Sequence, residues 1–374
     1  MEYDYLIIGS GLFGAVFAYE LKKAGKKVLV IEKRNHIGGN CYTEKKDDIH
    51  IHKYGAHIFH TSEKKLWDYV NQFATFSHYK YNPKVVYDKR IYSFPINLLT
   101  LQQVFVDIDI SSPNEARSLI HAITNIYNKY PPKNFEEYLL GSVGKELYEK
   151  FYYGYSKKQW GVEPKELPVS IAARLPIRFN YDDNYFFDSY QGIPIGGYTQ
   201  IFEKLLKGIE VKLSTDFFED KERFESLADK IVYTGKIDEL CGYKYGHLNY
   251  RSLNWETLLV DKNDFQGCAV LNFANDNVRY TRRIEHKHFE FIENNLTYIS
   301  YEYPETYIPN SQTLPLYPMS DNHSKQIYTK YKNCVGKTMN KYILGGRLAE
   351  YKYYDMHQVI ASALTRVKFE INKV

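Results

Sequence analysis

The sequence predicts an α/β chain with α+β inserts, in which one parallel-sheet lobe is assembled from separated stretches and two further lobes are inserted between them. Three observations predict this. The N-terminal segment reads strand, glycine turn, helix, strand. Two later apolar runs, near residues 230 and 342, have the same strand-then-glycine character, and the material between the runs changes from helical to alternating periodicity. At 374 residues the chain exceeds what one hydrophobic core organises comfortably, so two or three lobes are expected.

The elements follow in order. Tyr5-Leu-Ile-Ile8 is a short apolar run stopped by Gly9-Ser-Gly11-Leu-Phe-Gly14. Ala15 to Ala24 carries helical spacing and ends at Gly25, and Lys27-Lys-Val-Leu-Val-Ile31 is a second buried strand ending at Glu32. This βαβ unit has the form of a dinucleotide cradle: one glycine permits the turn, one admits backbone to a pyrophosphate, and one lets helix pack on strand. Glu32, 18 residues after Gly14, is placed to accept hydrogen bonds from ribose hydroxyls and would repel a 2′-phosphate.

The run Glu32-Lys33-Arg34-Asn-His-Ile-Gly38-Gly39-Asn40 continues with a second glycine pair suited to close backbone approach. It resembles the acid, arginine and double-glycine run of flavoproteins whose FAD lies extended across the sheet, which moves the expected cofactor from NAD to FAD. Lys230-Ile-Val-Tyr-Thr-Gly235 and Tyr342-Ile-Leu-Gly345-Gly346 supply further parallel strands, and Asp355 to Val367 a closing helix. Asp355 is its expected N-cap, so the helix amides would face the flavin edge where negative charge collects on reduction.

A discontinuous Rossmann-like FAD-binding domain is therefore expected from 1–80, 195–242 and 336–374. Leu99 to Tyr155 is helical by pattern, with Asn114, Pro131-Pro132 and Gly141 as punctuation. It gives a small helical domain over 97–172, with a mobile loop to about 180. Residues 245–303 alternate like strands, and 81–96, 181–194 and 243–335 form the expected antiparallel-sheet domain. There is no second glycine fingerprint for a nicotinamide nucleotide, so an external reductant such as NAD(P)H would visit rather than reside.

Composition narrows the partners. Apolar residues at 44% and charged residues at 25% exclude a disordered chain. A net charge of +4, scattered along the chain, argues against nucleic acid or an anionic membrane as partner. Four cysteines, Cys41, Cys241, Cys268 and Cys334, stand far apart without a CxxC pair, so no metal site is expected and a reducing compartment is the simpler setting. Met1-Glu-Tyr-Asp4 lacks the basic start of a secretory signal, and no apolar run reaches the roughly 20 residues of a membrane-spanning helix. A soluble, cytoplasmic protein is expected, and a homodimer is compatible with the sequence. The surplus of 37 tyrosines over three tryptophans supplies rings with hydroxyls, which can edge a core or line a wet cleft.

Further motifs resemble one family, the bacterial UDP-galactopyranose mutases: Lys53-Tyr-Gly-Ala-His57-Ile58-Phe-His60-Thr61, Gly154-Tyr155-Ser-Lys-Lys-Gln-Trp160-Gly161, Gly192-Ile-Pro-Ile-Gly-Gly-Tyr198 and Gly345-Gly-Arg347-Leu-Ala-Glu-Tyr-Lys-Tyr353-Tyr354-Asp355-Met356. With the two glycine runs they span the chain in the family's order. The resemblance implies an FAD enzyme interconverting UDP-galactopyranose and UDP-galactofuranose without net oxidation, active with reduced flavin. It implies covalent catalysis, in which N5 of reduced flavin attacks the anomeric carbon and expels UDP as the ring opens.

The resemblance also implies roles. Arg174 and Arg282 hold the diphosphate, for which a guanidinium fork is well shaped, and His60 stands with them at the catalytic centre. Tyr155, Trp160, Tyr185, Tyr317, Tyr353, Asn82 and Arg251 bind substrate, the first two beside the uridine. Gly9, Gly11, Phe13, Gly14, Glu32, Lys33, Arg34, Gly39, Asn40, His57, Ile58, Arg347, Tyr354, Asp355 and Met356 bind the cofactor. Ser156 stands where a threonine is common, Arg279 replaces an expected proline, and Arg283 an apolar residue. Either Arg282 or Arg283, but not both, can face the cleft from one strand. The rival readings are an amine-oxidase-like flavoenzyme, a mutase preferring UDP-N-acetylgalactosamine, and a non-catalytic glycan- or nucleotide-binding protein.

Overall fold

The computed structural model describes residues 2–128, 130–172, 175–319 and 321–372. Its contacts gather into two compact units, one of Met1–His78, Asp188–Tyr250 and Pro315–Val374, the other of Tyr79–Phe187 and Arg251–Leu314. The stretch read as a helical domain and most of that read as a sheet domain thus share the second unit, while 188–194, 243–250 and 315–335 of the latter belong to the first.

The first unit holds a five-stranded sheet in the order Tyr342–Leu344, Ala228–Tyr233, Tyr3–Ile8, Val28–Ile31, Glu210–Lys212. Every pairing in it is parallel. Leu6, Ile7, Leu29 and Val30 are fully buried, as a strand covered on both faces requires. Helices Leu12–Lys23 and Met356–Ile371 cover it, burying Val16, Phe17 and Leu21 from one and Ile360 and Ala363 from the other. The strand Glu210–Lys212 has no sequence signal, because an exposed edge strand shows only one apolar residue between two charges.

Two small antiparallel pairs complete this unit. Thr43–Lys46 turns back into Ile49–His52 through Asp47 and Asp48, both at positive φ, the backbone a tight hairpin needs. Phe59–Thr61 pairs with Tyr190–Gly192, aligning His60 with Gln191.

In the second unit the strands run Tyr250–Val260, Thr297–Thr306, Arg282–Glu285, Val270–Phe273, Lys84–Tyr87, Arg90–Ser93. All neighbours are antiparallel except Val270–Phe273 with Lys84–Tyr87, which is parallel. The expected all-antiparallel sheet is corrected at that pair, because the inserted helical stretch is long enough to return the chain in the same direction. The alternating run after Arg282 is strand only to Glu285; His286–Phe289 is a 3-10 turn.

The helices Leu98–Val104, Pro113–Thr124, Phe135–Tyr148 and Gly154–Trp160, with the wide helical turn Glu149–Tyr153 between the last two, pack Leu101, Ile120, Leu139, Val143, Leu147, Phe151 and, in part, Trp160 into a core. Their punctuation differs from the expected one. Ser112 caps a helix with Pro113 in its first turn and Glu115 closing the capping box, so Asn114 lies inside it. Gly141 is an ordinary helical residue, and the kink falls at Gly144, where φ is +77°. A Cβ there would stand 2.9 Å from the side chain of Ile123, so only glycine lets the helix bend over its neighbour. Among the described residues no helix is long and apolar enough to cross a membrane.

Candidate active site

In the first unit the glycine turn forms as its spacing requires. Gly9 has φ +101°, and a Cβ on it would meet Thr234 Oγ1 at 2.2 Å; a Cβ on Gly14 would meet the Gly9 carbonyl at 2.0 Å. The second glycine run lies against the first: a Cβ on Gly39, at φ +55°, would stand 2.9 Å from the Cα of Gly11. Gly345 lies on the ring of Phe13, whose Cζ a Cβ would reach at 2.0 Å. Segments around Gly9, Gly39, Thr234 and Gly345 therefore converge, with bare backbone against bare backbone where Gly39 meets Gly11.

Charged groups border this cradle. Glu32, 7% exposed at the end of Val28–Ile31, accepts from the Ser10 amide and hydroxyl, both at 2.8 Å, and from the Arg34 amide at 2.9 Å. Arg34 donates through Nη2 to Asn40 Oδ1 at 2.9 Å and stacks 4.3 Å over Tyr54, while its buried Nη1 has no hydrogen-bond partner. An orphaned guanidinium nitrogen beside backbone that tolerates no side chain fits an anionic dinucleotide such as FAD. Lys33 pairs with Asp216 at 2.7 Å on the surface.

The remaining expected cofactor residues gather in the same unit. His57 Nδ1 contacts the Gly55 carbonyl at 2.8 Å, Ile58 is buried, and His60 Nδ1 lies 2.6 Å from Asp188 Oδ2. Arg347 donates to the Tyr354 carbonyl at 2.7 Å and lies over Tyr353 and Tyr317, whose rings stack at 5.8 Å. Asp355 precedes the helix Met356–Ile371 and closes a capping box with Gln358, as expected of its N-cap.

The second unit brings together Tyr155, Tyr185 and Arg282. Arg282 Nε donates to the Tyr155 hydroxyl at 3.0 Å and lies 3.7 Å from Glu302 Oε1. Arg283 turns to the other face, donating to Gln266 Oε1 at 2.8 Å and stacking on Phe265 and Phe273. Tyr81 packs edge-on against Tyr185 with centroids 5.4 Å apart, and its hydroxyl pKa is pushed up by burial, opposed by Arg282.

Trp160 ends the helix Gly154–Trp160 and packs against the helical core. Gly161 follows at φ +70°, where a Cβ would meet Arg251 Nη1 at 2.6 Å. Arg251 donates to the carbonyls of Lys158 and Gln159 and to Thr306 Oγ1, capping the helix end that carries Trp160. Asn82 Nδ2 reaches Asp183 at 3.4 Å, while Lys84 takes the same carboxylate at 2.6 Å. Arg174 lies outside the described residues.

Three residues at these clusters escaped the sequence reading. Glu302 is 1% exposed with Oε2 unpartnered, Tyr81 sits beside Arg282, and Asp188 holds His60. An acid amid alternating tyrosines, as in Tyr301-Glu302-Tyr303, was the available signal for Glu302. Nothing local marked Asp188.

Known proteins resemble the chain over nearly its whole length. The family description of UDP-galactopyranose mutase matches residues 150–353, and that of an NAD(P)-binding Rossmann-like domain matches 7–73. The chain is 40% identical over 367 residues to a dTDP-fucopyranose mutase of Escherichia coli, covering 96% of both chains. It is also 40% identical over 367 residues to a probable UDP-galactopyranose mutase of Klebsiella pneumoniae, covering 96% of this chain and 93% of that one. A crystal structure of reduced UDP-galactopyranose mutase superimposes with a TM-score of 0.75 at 14% identity, covering 100% of this chain and 95% of that one. At that identity the likeness speaks for the fold.

Proposed function

The chain belongs to the UDP-galactopyranose mutase family, and from that membership we propose that it interconverts the pyranose and furanose forms of a nucleoside-diphosphate hexose, UDP-galactose first among them. FAD is the cofactor this reading requires, held by the backbone of Gly9, Gly11 and Gly39, with Glu32 toward the ribose and Arg34 toward the pyrophosphate. When bound and reduced, it would supply the nucleophilic nitrogen that lets a sugar ring open and reclose without net oxidation.

The observation that carries the reading is the Arg282–Tyr155 pair at 3.0 Å, a guanidinium and a phenol at hand for a departing diphosphate. Two phosphates carry about two negative charges, which a guanidinium meets with paired donors. Arg282, with Arg174, stabilises that charge as the glycosidic bond breaks. Glu302, with Oε1 3.7 Å from Nε, is the carboxylate that pairs with this guanidinium. Tyr155 and Trp160 flank the base, where aromatic stacking is worth roughly 1–3 kcal/mol in other systems. Tyr185, Tyr317 and Tyr353 supply hydroxyls to the phosphates, and His57 and His60 shape the flavin pocket.

A second reading has its own support, because the dTDP-fucopyranose mutase matches at the same identity and coverage. Its substrate differs by a thymine methyl, a missing ribose hydroxyl and a missing hydroxyl at C6 of the sugar. The deciding assay incubates purified protein with UDP-galactofuranose, dTDP-fucofuranose and UDP-N-acetylgalactofuranose, each with and without dithionite. Conversion of UDP-galactofuranose only after reduction, by a protein that releases FAD on denaturation, is the expected outcome. Preferential turnover of either other sugar would reassign the substrate. Amine-dependent oxygen consumption without sugar turnover would overturn the reading.

A further inference from the structure

The pairing of Phe59–Thr61 with Tyr190–Gly192 brings Asp188 to His60 across 128 residues. His60 Nδ1 stands 2.6 Å from Asp188 Oδ2, and Ser62 Oγ donates to Oδ1 at 2.7 Å. Both carboxylate oxygens are thus engaged. A carboxylate only accepts, so the proton of the first contact resides on Nδ1 of His60. The His60 ring also meets that of His357, in the first turn of Met356–Ile371, edge to face with centroids 5.0 Å apart. Nδ1 of His357 is buried without a hydrogen-bond partner.

Two imidazoles this close do not both hold a positive charge cheaply. Burial first, and His60 second, push the pKa of His357 below the ordinary histidine value. The positive end of its helix works in the same direction. Asp355, Asp188 and Glu63 are the other charges that bear on His357, all three favouring its protonation. For Asp188, burial pushes the carboxyl up, but the hydrogen bonds from Ser62 and His60 outweigh it and hold the group below its usual range.

We propose that Asp188 is a positioning residue of the active site: by accepting the Nδ1 proton of His60 it fixes that ring's tautomer and orientation. The inference rests on the reading of His60 as a side chain beside the flavin. In that neutral tautomer Nε2 carries no proton and is an acceptor.

The test uses the flavin-loaded protein with 15N-labelled histidine. A deshielded Nδ1 proton, assigned to His60 by its loss in His60→Gln, is expected in the parent. Asp188→Asn should remove it, and Ser62→Ala should keep it. Asp188→Asn should also lower kcat roughly tenfold or more, the scale for residues that orient another functional group, with KM little changed and flavin content intact. Asp188→Glu should restore part of kcat. An Nε2–H tautomer in the parent, an unchanged Nδ1 proton in Asp188→Asn, or unchanged kcat in that variant would each overturn the proposal. Should Asp188→Asn not fold, the parent tautomer read against His60→Gln still decides. A parent with the Nδ1–H tautomer but no sugar turnover would count against the functional reading and not against the pair.

Discussion

Glu302, a carboxylate 1% exposed, lies 3.7 Å from Nε of Arg282, whereas the adjacent Arg283 points to the opposite face of the same strand. Alternation along Arg282–Glu285 makes the two guanidiniums unequal in role despite equal chemistry. Arg282→Ala should lower kcat/KM roughly a hundredfold or more, the scale for losing a donor to developing oxyanion charge. Arg283→Ala should leave turnover nearly unchanged and lower thermal stability modestly, through lost stacking on Phe265 and Phe273. Equal loss in both variants would contradict this assignment.

Gly39 is held at positive φ with no room for a methyl group between itself and Gly11. Gly39→Ala should destabilise the protein by about 1–2 kcal/mol from backbone strain alone, with the contact to Gly11 adding to it. The larger effect should be on flavin content, measured as the flavin-to-protein absorbance ratio after gel filtration. Full retention of FAD would show that this backbone is not the cofactor cradle.

Gly161→Ala tests the arm carrying Trp160. A Cβ at 2.6 Å from Arg251 Nη1 must displace the guanidinium from the carbonyls of Lys158 and Gln159. Nucleotide-sugar KM should rise more than kcat falls, as expected when ground-state binding is lost. Unaltered KM would detach Trp160 from base recognition.

Stability should depend on pH through two neighbouring histidines in opposite ways. His286, fully enclosed, has its pKa pushed by burial down to about 3. The folded state then binds fewer protons than the unfolded one, so stability falls as pH drops below the ordinary histidine value toward that figure. His288 is raised chiefly by its contact with Glu285, where it also meets Asp264. Its contribution is fully present below the unfolded pKa and is lost as pH rises through the folded one. Melting temperatures of the parent and His288→Gln should therefore converge above the raised pKa and differ below it. A gap that is constant with pH would disprove the coupling.

Arg174→Ala should abolish turnover while flavin stays bound, since the role implied for that side chain is toward the diphosphate alone. Near-normal turnover would remove Arg174 from the site.

Much of the first unit was legible because its signals are local. The run Tyr5–Ile8, the glycine spacing to Gly14 and the acid at Glu32 each constrain backbone within a few residues, and the parallel strands at Ala228 and Tyr342 repeat that grammar. The kink at Gly144 was not legible. Gly141 and Gly144 look alike in sequence, and only the crowding by Ile123 makes one of them bend. The parallel pairing of Lys84–Tyr87 with Val270–Phe273 was equally hidden, because strand direction depends on where a distant insertion returns the chain.

The sequence by itself determined the family, the dinucleotide cradle and the residue types at hand for a sugar diphosphate, since these rest on spacing and on chemistry carried by single residues. Only the tertiary structure decided that Arg282 meets Tyr155, that Arg251 caps the helix of Trp160, and that Asp188 holds His60. Each of those is a pairing between side chains far apart along the chain. Its energy depends on distance and burial, two quantities that exist only once the backbone has closed.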